Sequence, residues 1–494
     1  MNALRHVLVD SALKRLSPST ENTLAQEKPS SSADVPIELQ LYAIQQKIQP
    51  RAVYGVFANW RIALVLLTQG LYYGLPWLQW DSRQAILFDL AARKFYIFGL
   101  VFWPQDFIYL TGLLILAALA LFLFTAVAGR LWCGYACPQT VYTEIFMWVE
   151  EWLEGDHLAR KKLDKSPWNA NKLKKRGLKH AVWFAIALWT GFTFVGYFTP
   201  IQTLAAETMR ASLGPWESFW ILFYGFATWG NAGFMREQVC KYMCPYARFQ
   251  SVMFDSDTLT VTYDGSRGEP RGSRSKKTDY AAAGLGACVD CNVCVQVCPT
   301  GIDIRNGLQY ECIGCAACID GCDQIMDRMG YPRGLIRYTT ENAVKGRYPD
   351  STILKHVLRP RTLIYSVLLL AIGGAFVASL ATRVPLRVDV VRDRAALSKE
   401  TDDGMIENVY RLQLINKDAQ PHRYTIRAQG IPGLQVVVNA QKITAAPLQT
   451  IDIPVSLIAD PVELKSRSTA VSFTIQSIDN PRIADDVATR FFNR

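Results

Sequence analysis

Two closely spaced cysteine runs between residues 288 and 322 constrain this chain more than any other feature. The first run is Cys288, Cys291, Cys294 and Cys298, and the second is Cys312, Cys315, Cys318 and Cys322. Steps of three residues let one tight loop place thiolates on three corners of a [4Fe–4S] cube, and the fourth cysteine of such a run normally reaches the other cluster. The spacing therefore predicts two clusters side by side, an arrangement that conducts single electrons.

The crossed pattern assigns the ligands. Cluster 1 is predicted to be held by Cys288, Cys291, Cys294 and Cys322, and cluster 2 by Cys312, Cys315, Cys318 and Cys298. Zinc sites and disulfides also use Cys-x-x-Cys pairs, but a zinc site takes four ligands in two pairs. Here two runs of four interlock, and no histidine lies between residues 288 and 322. Asp323 follows Cys322 where ferredoxins of this type usually have proline, so we expect a more exposed cluster there.

The composition is that of a membrane protein. Half of the 494 residues are hydrophobic, and tryptophan and tyrosine, which collect at bilayer interfaces, are plentiful. The formal net charge is +10, but the basic residues cluster beside apolar segments, so membrane lipid is the expected partner and nucleic acid is not. All twelve cysteines lie between Cys133 and Cys322, and thiolate ligands need a reducing compartment, which indicates the cytoplasm.

Five segments are apolar and long enough to cross a bilayer, which takes about 20 residues each. They are roughly 57–78, 107–128, 181–199, 216–234 and 362–382. The segment 95–103 is too short to span, and we interpret it as an interfacial or re-entrant piece. Loop 129–180 is rich in lysine and arginine, which places it, the N-terminus and the insert 235–361 in the cytoplasm, and the C-terminus outside.

The remaining segments set the domain boundaries. We expect a flexible cytoplasmic N-terminal tail over 1–50, four membrane helices over 51–245, a cytoplasmic cluster domain over 246–361, a fifth membrane helix over 362–384 and a β-sandwich over 385–494. The tail lacks the apolar stretch of a cleavable signal. Alternating apolar and polar residues with turns at short intervals predict the sandwich. Its expected role is docking.

Four further cysteines form two similar motifs, each expected just past the cytoplasmic end of a span. They are Cys133 and Cys137, followed by Pro138, and Cys240 and Cys244, followed by Pro245. A spacing of i, i+4 puts both sulfurs on one face of a helix, so that two such helices can converge on one soft metal: Cu(I), zinc or the iron of a further cluster. Buried structural cysteines and metal-free redox thiols are the alternatives.

With these motifs in this order, the chain resembles the FixG/RdxA/CcoG family of cytochrome cbb3 oxidase accessory proteins over nearly its full length. The resemblance implies a five-span α-helical membrane bundle, a bacterial ferredoxin-like twin-cluster insert and a C-terminal periplasmic immunoglobulin-like β-sandwich. It also implies an iron–sulfur oxidoreductase of the bacterial inner membrane that reduces Cu(II) to Cu(I) during oxidase assembly. Copper would be held at or near Cys133, Cys137, Cys240 and Cys244, and oxidase subunits or copper-handling proteins would be partners.

Two other functions remain open at this point. A quinol-linked electron conduit would serve a partner reductase, and Trp103 and Trp132 could line its quinone cleft. A non-enzymatic assembly scaffold would bind oxidase subunits through the external sandwich. Arg61 and Glu144 lie near the spans, where charged residues are more often structural, although an acid near thiolates could move a proton. The sequence leaves open the electron donor and whether the protein is a homodimer.

Overall fold

The computed structural model describes residues 48–81, 83–280, 282–393, 398–418, 420–438, 443–464 and 466–493. The predicted tail over 1–50 therefore lies almost entirely outside the described residues. The helices are α1 Val56–Gly74, α2 Phe107–Ala128, α3 Leu131–Tyr135, α4 Pro138–Glu154, α5 His157–Lys165, α6 Ala170–Val195, α7 Ile201–Met209, α8 Pro215–Gly230, α9 Pro245–Val252, α10 Gly265–Gly268, α11 Val293–Gln296, α12 Ala317–Met329, α13 Glu341–Val344, α14 Ile353–Val357 and α15 Pro360–Ala381.

Most strands form two groups along the chain, one before α2 and one after α15, and two further strands lie between these groups. They are β1 Gln79–Trp80, β2 Arg83–Gln84, β3 Ile86–Asp89, β4 Lys94–Ile97, β5 Leu100–Phe102, β6 Thr260–Tyr263, β7 Ile336–Thr339, β8 Leu386–Arg392, β9 Lys399–Glu400, β10 Ile406–Asn416, β11 His422–Gln429, β12 Gln435–Val438, β13 Ile443–Ala445, β14 Thr450–Ala459, β15 Ser468–Ser477 and β16 Ala484–Phe492.

Three helices in the described part of the chain are long and apolar enough to cross a membrane: Pro104–Ala128, Ala170–Val195 and Pro360–Ala381. They correspond to three of the five predicted spans. Helix α6 begins well before the predicted start at 181 because the Asn169 side chain caps it, accepting a hydrogen bond from Lys172 N at 2.8 Å. The other two predicted spans form α1, which carries Arg61, and α8, which has 16 residues. Five spans therefore stay a prediction.

Helix α6 lies at the centre of the helical region. A Cβ atom on Gly191 would lie 2.3 Å from the carbonyl oxygen of Ile221, so glycine is what lets α6 and α8 approach this closely. Helix α4 packs on α6 where the rings of Phe146 and Trp183 stack, with centroids 5.0 Å apart. Trp183 Nε1 also donates to the Phe146 carbonyl. These contacts fix α4, which begins directly after Cys137.

The structure corrects our interpretation of residues 95–103. They belong to strands β4 and β5 of a three-stranded antiparallel sheet, in which Ile86 lies opposite Ile97 and Tyr96 opposite Val101. The segment is rich in aromatic and β-branched residues, which fit a pleated surface as well as they fit an interfacial helix. Sequence periodicity does not separate the two for so short an apolar run.

The cluster-binding region lies between α9 and α15. Strands β6 and β7 pair in antiparallel fashion, with Val261 opposite Tyr338. Helices α11 and α12 each follow a cysteine loop. The buried core beneath them contains Val261, Ile304, Ile319, Met326 and Leu335.

The C-terminal region is the predicted β-sandwich. One sheet has the strand order β12-β14-β10-β8 with β9 paired to β10, and the other has the order β13-β11-β15-β16. Alternate residues fill the space between the sheets, among them Tyr410 and Leu412 of β10 and Phe473 of β15. The period-2 pattern therefore located the sandwich correctly.

A buried ion cluster attaches the sandwich to the turn before α2. The Asp106 carboxylate accepts hydrogen bonds from Arg383 at 2.6 Å and Lys417 at 2.7 Å. The three side chains are only 9%, 13% and 6% exposed. Without the Asp106 carboxylate, the buried charges of Arg383 and Lys417 would have no counter-charge, so their burial depends on it.

Candidate iron–sulfur and edge-cysteine site

Two cavities in the cluster-binding region are each lined by the four cysteines of one predicted ligand set, and the second also by a fifth cysteine. One is lined by Cys288, Cys291, Cys294 and Cys322. The other is lined by Cys298, Cys312, Cys315 and Cys318, together with Cys294. Helix α12 contributes Cys318 to one cavity and Cys322, one turn further along, to the other. The fold thus brings the eight cysteines together in the two groups that the spacing paired.

The two cysteine loops have the same backbone conformation at the equivalent position. Asn292 and Ala316, each directly after the second cysteine of its run, adopt left-handed conformations with φ of 57° and 58°. The cavity that contains Cys322 is the more open one, since Cys291 is exposed. Asp323, which stands where proline is usual, accepts a hydrogen bond from Gly334 N at 3.0 Å.

The donor set fits an iron–sulfur cluster. Burial raises the pKa of the Cys312 thiol to about 12 and that of Cys294 to about 11. Buried thiols of this kind stay protonated near neutral pH unless a cation compensates, and metal coordination deprotonates a thiol outright. Groups of four sulfurs that are mostly buried or half-buried therefore suit bound iron, which supplies the positive charge.

No three histidine, cysteine, aspartate or glutamate side chains of the described residues lie close enough together to hold one metal ion. In a [4Fe–4S] cluster each thiolate binds a different iron, so its cysteines lie further apart than the ligands of one ion. The spacing of Cys133, Cys137, Cys240 and Cys244 gives no support to a single-copper site.

The second set is named here the edge cysteines: Cys133, Cys137, Cys240 and Cys244. The prediction that each i, i+4 pair lies on one helix face is wrong. Cys137 and Cys244 have extended backbone with ψ of 128° and 105°, because Pro138 and Pro245 begin new helices and cannot continue the preceding ones. Each pair therefore spans the junction between two helices.

The edge cysteines nevertheless converge. Cys133 lies within electrostatic range of Cys137, Cys240 and Cys244, and burial raises its pKa to about 12. The Cys133 thiol donates to Gln250 Oε1, with Sγ and Oε1 3.2 Å apart. Cys137 and Cys244 directly precede α4 and α9, whereas Cys133 lies within α3 and Cys240 within a π-helical turn, Val239–Met243. Only the tertiary fold brings the two pairs together.

The edge cysteines are docked on the second cluster cavity. Cys133 and Cys240 pack against the buried group that contains Cys315. A Cβ atom on Gly134 would lie 2.8 Å from Cys315 Cα, so α3 contacts the backbone of the cluster loop directly. Cys240 and Cys315 also line one small cavity of about 30 Å³, enough for one or two water molecules.

A polar network joins the two edge motifs. Gln139 Nε2 donates to the carbonyls of Asn231 at 2.9 Å and Arg236 at 3.1 Å. Arg236 adopts a φ of 36°, which turns the chain toward Cys240. Its guanidinium pairs with Glu150 of α4 at 2.8 Å, and both side chains are buried. The same charge network therefore orients the helix after Cys137 and the turn before Cys240.

Asp320 is a functional residue that our sequence reasoning missed. It lies on α12 between Cys318 and Cys322, yet its carboxylate accepts hydrogen bonds from Phe57 N at 3.3 Å and Ala58 N at 2.7 Å. It therefore caps α1 from a distant part of the chain. Its acidic side chain beside a helix N-terminus is a familiar pattern, but no local spacing links residues so far apart.

Family models match three parts of the chain. A 4Fe-4S dicluster domain matches residues 235–341, a 4Fe-4S binding domain matches 110–166, and an IG-like fold at the C-terminal of FixG matches 376–494. The chain is 38% identical over 458 residues to the nitrogen fixation protein FixG of Rhizobium meliloti (strain 1021), covering 86% of this chain and 87% of that protein. The chain belongs to the FixG family.

Two further relatives support this assignment. The FixG-family chain is 43% identical to protein RdxA and 44% identical to protein RdxB of Cereibacter sphaeroides, over 80% and 78% of its length and 85% and 82% of theirs. A crystal structure of a FixG-related protein from Vibrio parahaemolyticus is 31% identical, covers 22% of this chain and 97% of that one, and has a TM-score of 0.21. The predicted family is confirmed, and the chain is an iron–sulfur protein with a redox role.

Proposed function

We propose that this FixG-family protein is a membrane-bound electron-transfer protein that reduces Cu(II) to Cu(I) during assembly of cytochrome cbb3 oxidase. The observation that carries the proposal is the packing of Cys133 and Cys240 against the group containing Cys315. Soft thiolates favour Cu(I) over harder ions, so the edge cysteines offer a place where copper, as substrate, can accept an electron. The reaction is Cu(II) + e⁻ → Cu(I) and needs no acid or base.

The ligand roles follow the two cavities. Cluster 1 is proposed to be held by Cys288, Cys291, Cys294 and Cys322, and cluster 2 by Cys298, Cys312, Cys315 and Cys318. When bound, such clusters accept and release single electrons. The chain contributes the burial of these sulfurs and the close contact at Gly134, which shortens the path from the second cavity to the edge cysteines.

The cellular arrangement is part of the same proposal. Five spans in a bacterial inner membrane would place the N-terminus and the cluster-binding region in the cytoplasm and the sandwich in the periplasm. Three apolar helices and the basic residues in the N-terminal half of α6 support this orientation. Membrane lipid and either oxidase subunits or copper-handling proteins are the proposed partners.

The test uses anaerobically purified protein, with wild type beside the double variant Cys133→Ser/Cys244→Ser. By the ligand count of two clusters, both should contain about eight irons, and only the wild type should form Cu(I), measured with a Cu(I)-specific chelator. Cys318→Ser is the matched control, because it should lose iron as well as activity. About twelve irons falling to about eight in the double variant would instead make the edge cysteines a third cluster site.

Undiminished Cu(I) formation in the double variant would reject the copper proposal. A scaffold function makes the opposite prediction: the cysteine variants would still support oxidase assembly, and removal of residues 385–494 would abolish it. A conduit to a partner reductase would keep its electron transfer but show no dependence on copper.

A further inference from the structure

A further, larger cavity lies beside the cluster-binding region and shares Arg61 and Glu144 with the small cavity that Cys240 lines. Its volume is about 420 Å³, within the range of small-molecule sites. Helices α1 and α4 form two of its sides. Val297 and Pro299, the residues on either side of Cys298, form part of the third. A molecule in this cavity would therefore contact the loop that carries a proposed ligand of cluster 2.

The lining combines apolar walls with a few charged groups. Ile62, Met147 and Trp148 supply apolar and aromatic surface, and Arg61 and Glu144 supply the opposite charges. Flat aromatic and thioether side chains favour a planar ring. The charged pair can bind a ring that carries oxygen atoms, since a guanidinium donates hydrogen bonds and a carboxylate accepts them.

Arg61 is the second observation that indicates a ligand. Its side chain is only 9% exposed, and its Nε atom is buried with no hydrogen-bond partner among the described residues. Arg160 also lines the cavity, and its Nε likewise lacks a partner among the described residues, but its two terminal nitrogens already donate to Glu150 and to the Pro50 carbonyl. An unsatisfied buried donor costs free energy, and a ligand oxygen at Arg61 would remove that cost.

The surroundings of the cavity favour entry from the membrane. Tyr54 and Trp152 line it and are 72% and 76% exposed, and Trp60 on the same helix as Arg61 is 61% exposed. Exposed tyrosine and tryptophan of this kind mark the interface between lipid and water. A ligand with an apolar tail could therefore leave its tail in the lipid and insert its ring.

We propose that this cavity binds a lipid-soluble hydroquinone as the electron donor of the protein. Arg61 would donate to one ring oxygen, and Glu144 would accept a hydrogen bond from a ring hydroxyl and then its proton. The hydroquinone loses two O–H bonds to become the quinone: one proton passes to Glu144, the other passes to water, and the two electrons leave one at a time. Two [4Fe–4S]²⁺ centres, each taking one electron, are the oxidant. The inference rests on the proposed electron-transfer function and names its donor.

The first test measures binding rather than activity. Decylubiquinone is titrated into the iron-loaded protein in detergent while tryptophan fluorescence is recorded, since Trp148 and Trp152 line the cavity. A photoreactive azidoquinone, mapped by mass spectrometry, should label the peptide 141–153, and decylubiquinone should compete. Labelling elsewhere, or no saturable quenching, would overturn the proposal.

Variants locate the binding groups. Glu144→Gln and Met147→Trp, which fills the cavity, should each weaken binding about ten-fold or more, as expected for a lost charged hydrogen bond or a steric block. Glu341→Gln, an exposed carboxylate far along the chain, is the control and should bind as wild type. Retention of about eight irons shows that a variant has folded. Wild-type affinity in both cavity variants would contradict the proposal.

Two outcomes separate this inference from the copper function. If decylubiquinol binds and reduces the protein but no Cu(I) forms, the donor site stands and the copper proposal fails. If chemically reduced protein forms Cu(I) but decylubiquinone does not bind, the copper proposal stands and the donor site fails. Reduction by NADH alone, without decylubiquinol, would also overturn the donor assignment.

Discussion

Asp320 provides the sharpest test of how the cluster-binding region is held on the helical region. It lies on α12 among the cluster cysteines, is 6% exposed, and accepts hydrogen bonds from two amides in the first turn of α1. The first amides of a helix have no partner within it. We expect Asp320→Ala to leave the buried amide of Ala58 and the part-buried amide of Phe57 without this acceptor.

The magnitude follows from these contacts. An unsatisfied buried donor costs about 1–3 kcal/mol. Asp320→Ala creates one at Ala58 and a part-buried one at Phe57, so we expect a loss of about 2–3 kcal/mol. The two amides bind different oxygens of Asp320, so Asp320→Asn keeps one hydrogen bond and loses the other together with the charge at the positive end of α1; we expect a loss of about 1–2 kcal/mol. Gly55→Ala should act in the same direction, since a Cβ atom there would lie 2.4 Å from Asp320 Cγ.

The assay is denaturant unfolding in detergent, followed by the visible absorbance of the clusters, together with hydrogen exchange of the Phe57 and Ala58 amides. Asp327→Ala is the matched control, because Asp327 lies on the same helix but forms an exposed pair with Arg333. The reasoning is refuted if Asp320→Ala differs from wild type by less than about 0.5 kcal/mol, the size of an ordinary surface change, or if the two amides exchange no faster.

Three further predictions concern the other contacts. Gly134→Ala should cost about 1–3 kcal/mol by overpacking against the Cys315 backbone and lower the iron content; unchanged iron would argue against the contact. Glu150→Ala should cost about 3–5 kcal/mol, because it leaves Arg236 and Arg160 buried without the carboxylate that pairs with both, measurable by thermal denaturation; a loss below 1 kcal/mol would contradict this. Asp106→Ala should speed trypsin cleavage between α15 and β8, and unchanged cleavage would show that the sandwich is attached by other contacts.

Local patterns predicted the parts of the fold that rest on short-range rules. The cysteine steps of three determine which sulfurs one loop can bring together, and the structure groups the eight cysteines in the same two sets. The ligation itself stays a prediction. Likewise, alternating residues such as Tyr410 and Leu412 located the sandwich, because burial on one face imposes a period of two.

Tertiary contacts between distant residues were beyond such rules. The capping of α1 by Asp320 joins residues far apart in sequence, since Asp320 lies 262 positions after Ala58.

The sequence also suggested Trp103 and Trp132 for a quinone cleft. Trp103 directly follows β5 of the three-stranded sheet, and the centroid of its ring lies 4.8 Å from Lys94 Nζ. The aromatic walls of the large cavity come from α4, whose position depends on its packing against α6.

The order of the cavities explains why two cysteine sets are useful to one reaction. Val297 and Pro299 border the large cavity on either side of Cys298, Cys298 shares a cavity with Cys315, and Cys315 shares the small cavity with Cys240. On our proposals, donor and acceptor therefore both adjoin cluster 2. A hydroquinone releases two electrons, whereas Cu(II) accepts one. Cluster 1, whose proposed ligands include Cys322, lies off this route and provides the second one-electron site. The donor can therefore be fully oxidised before a second copper ion arrives.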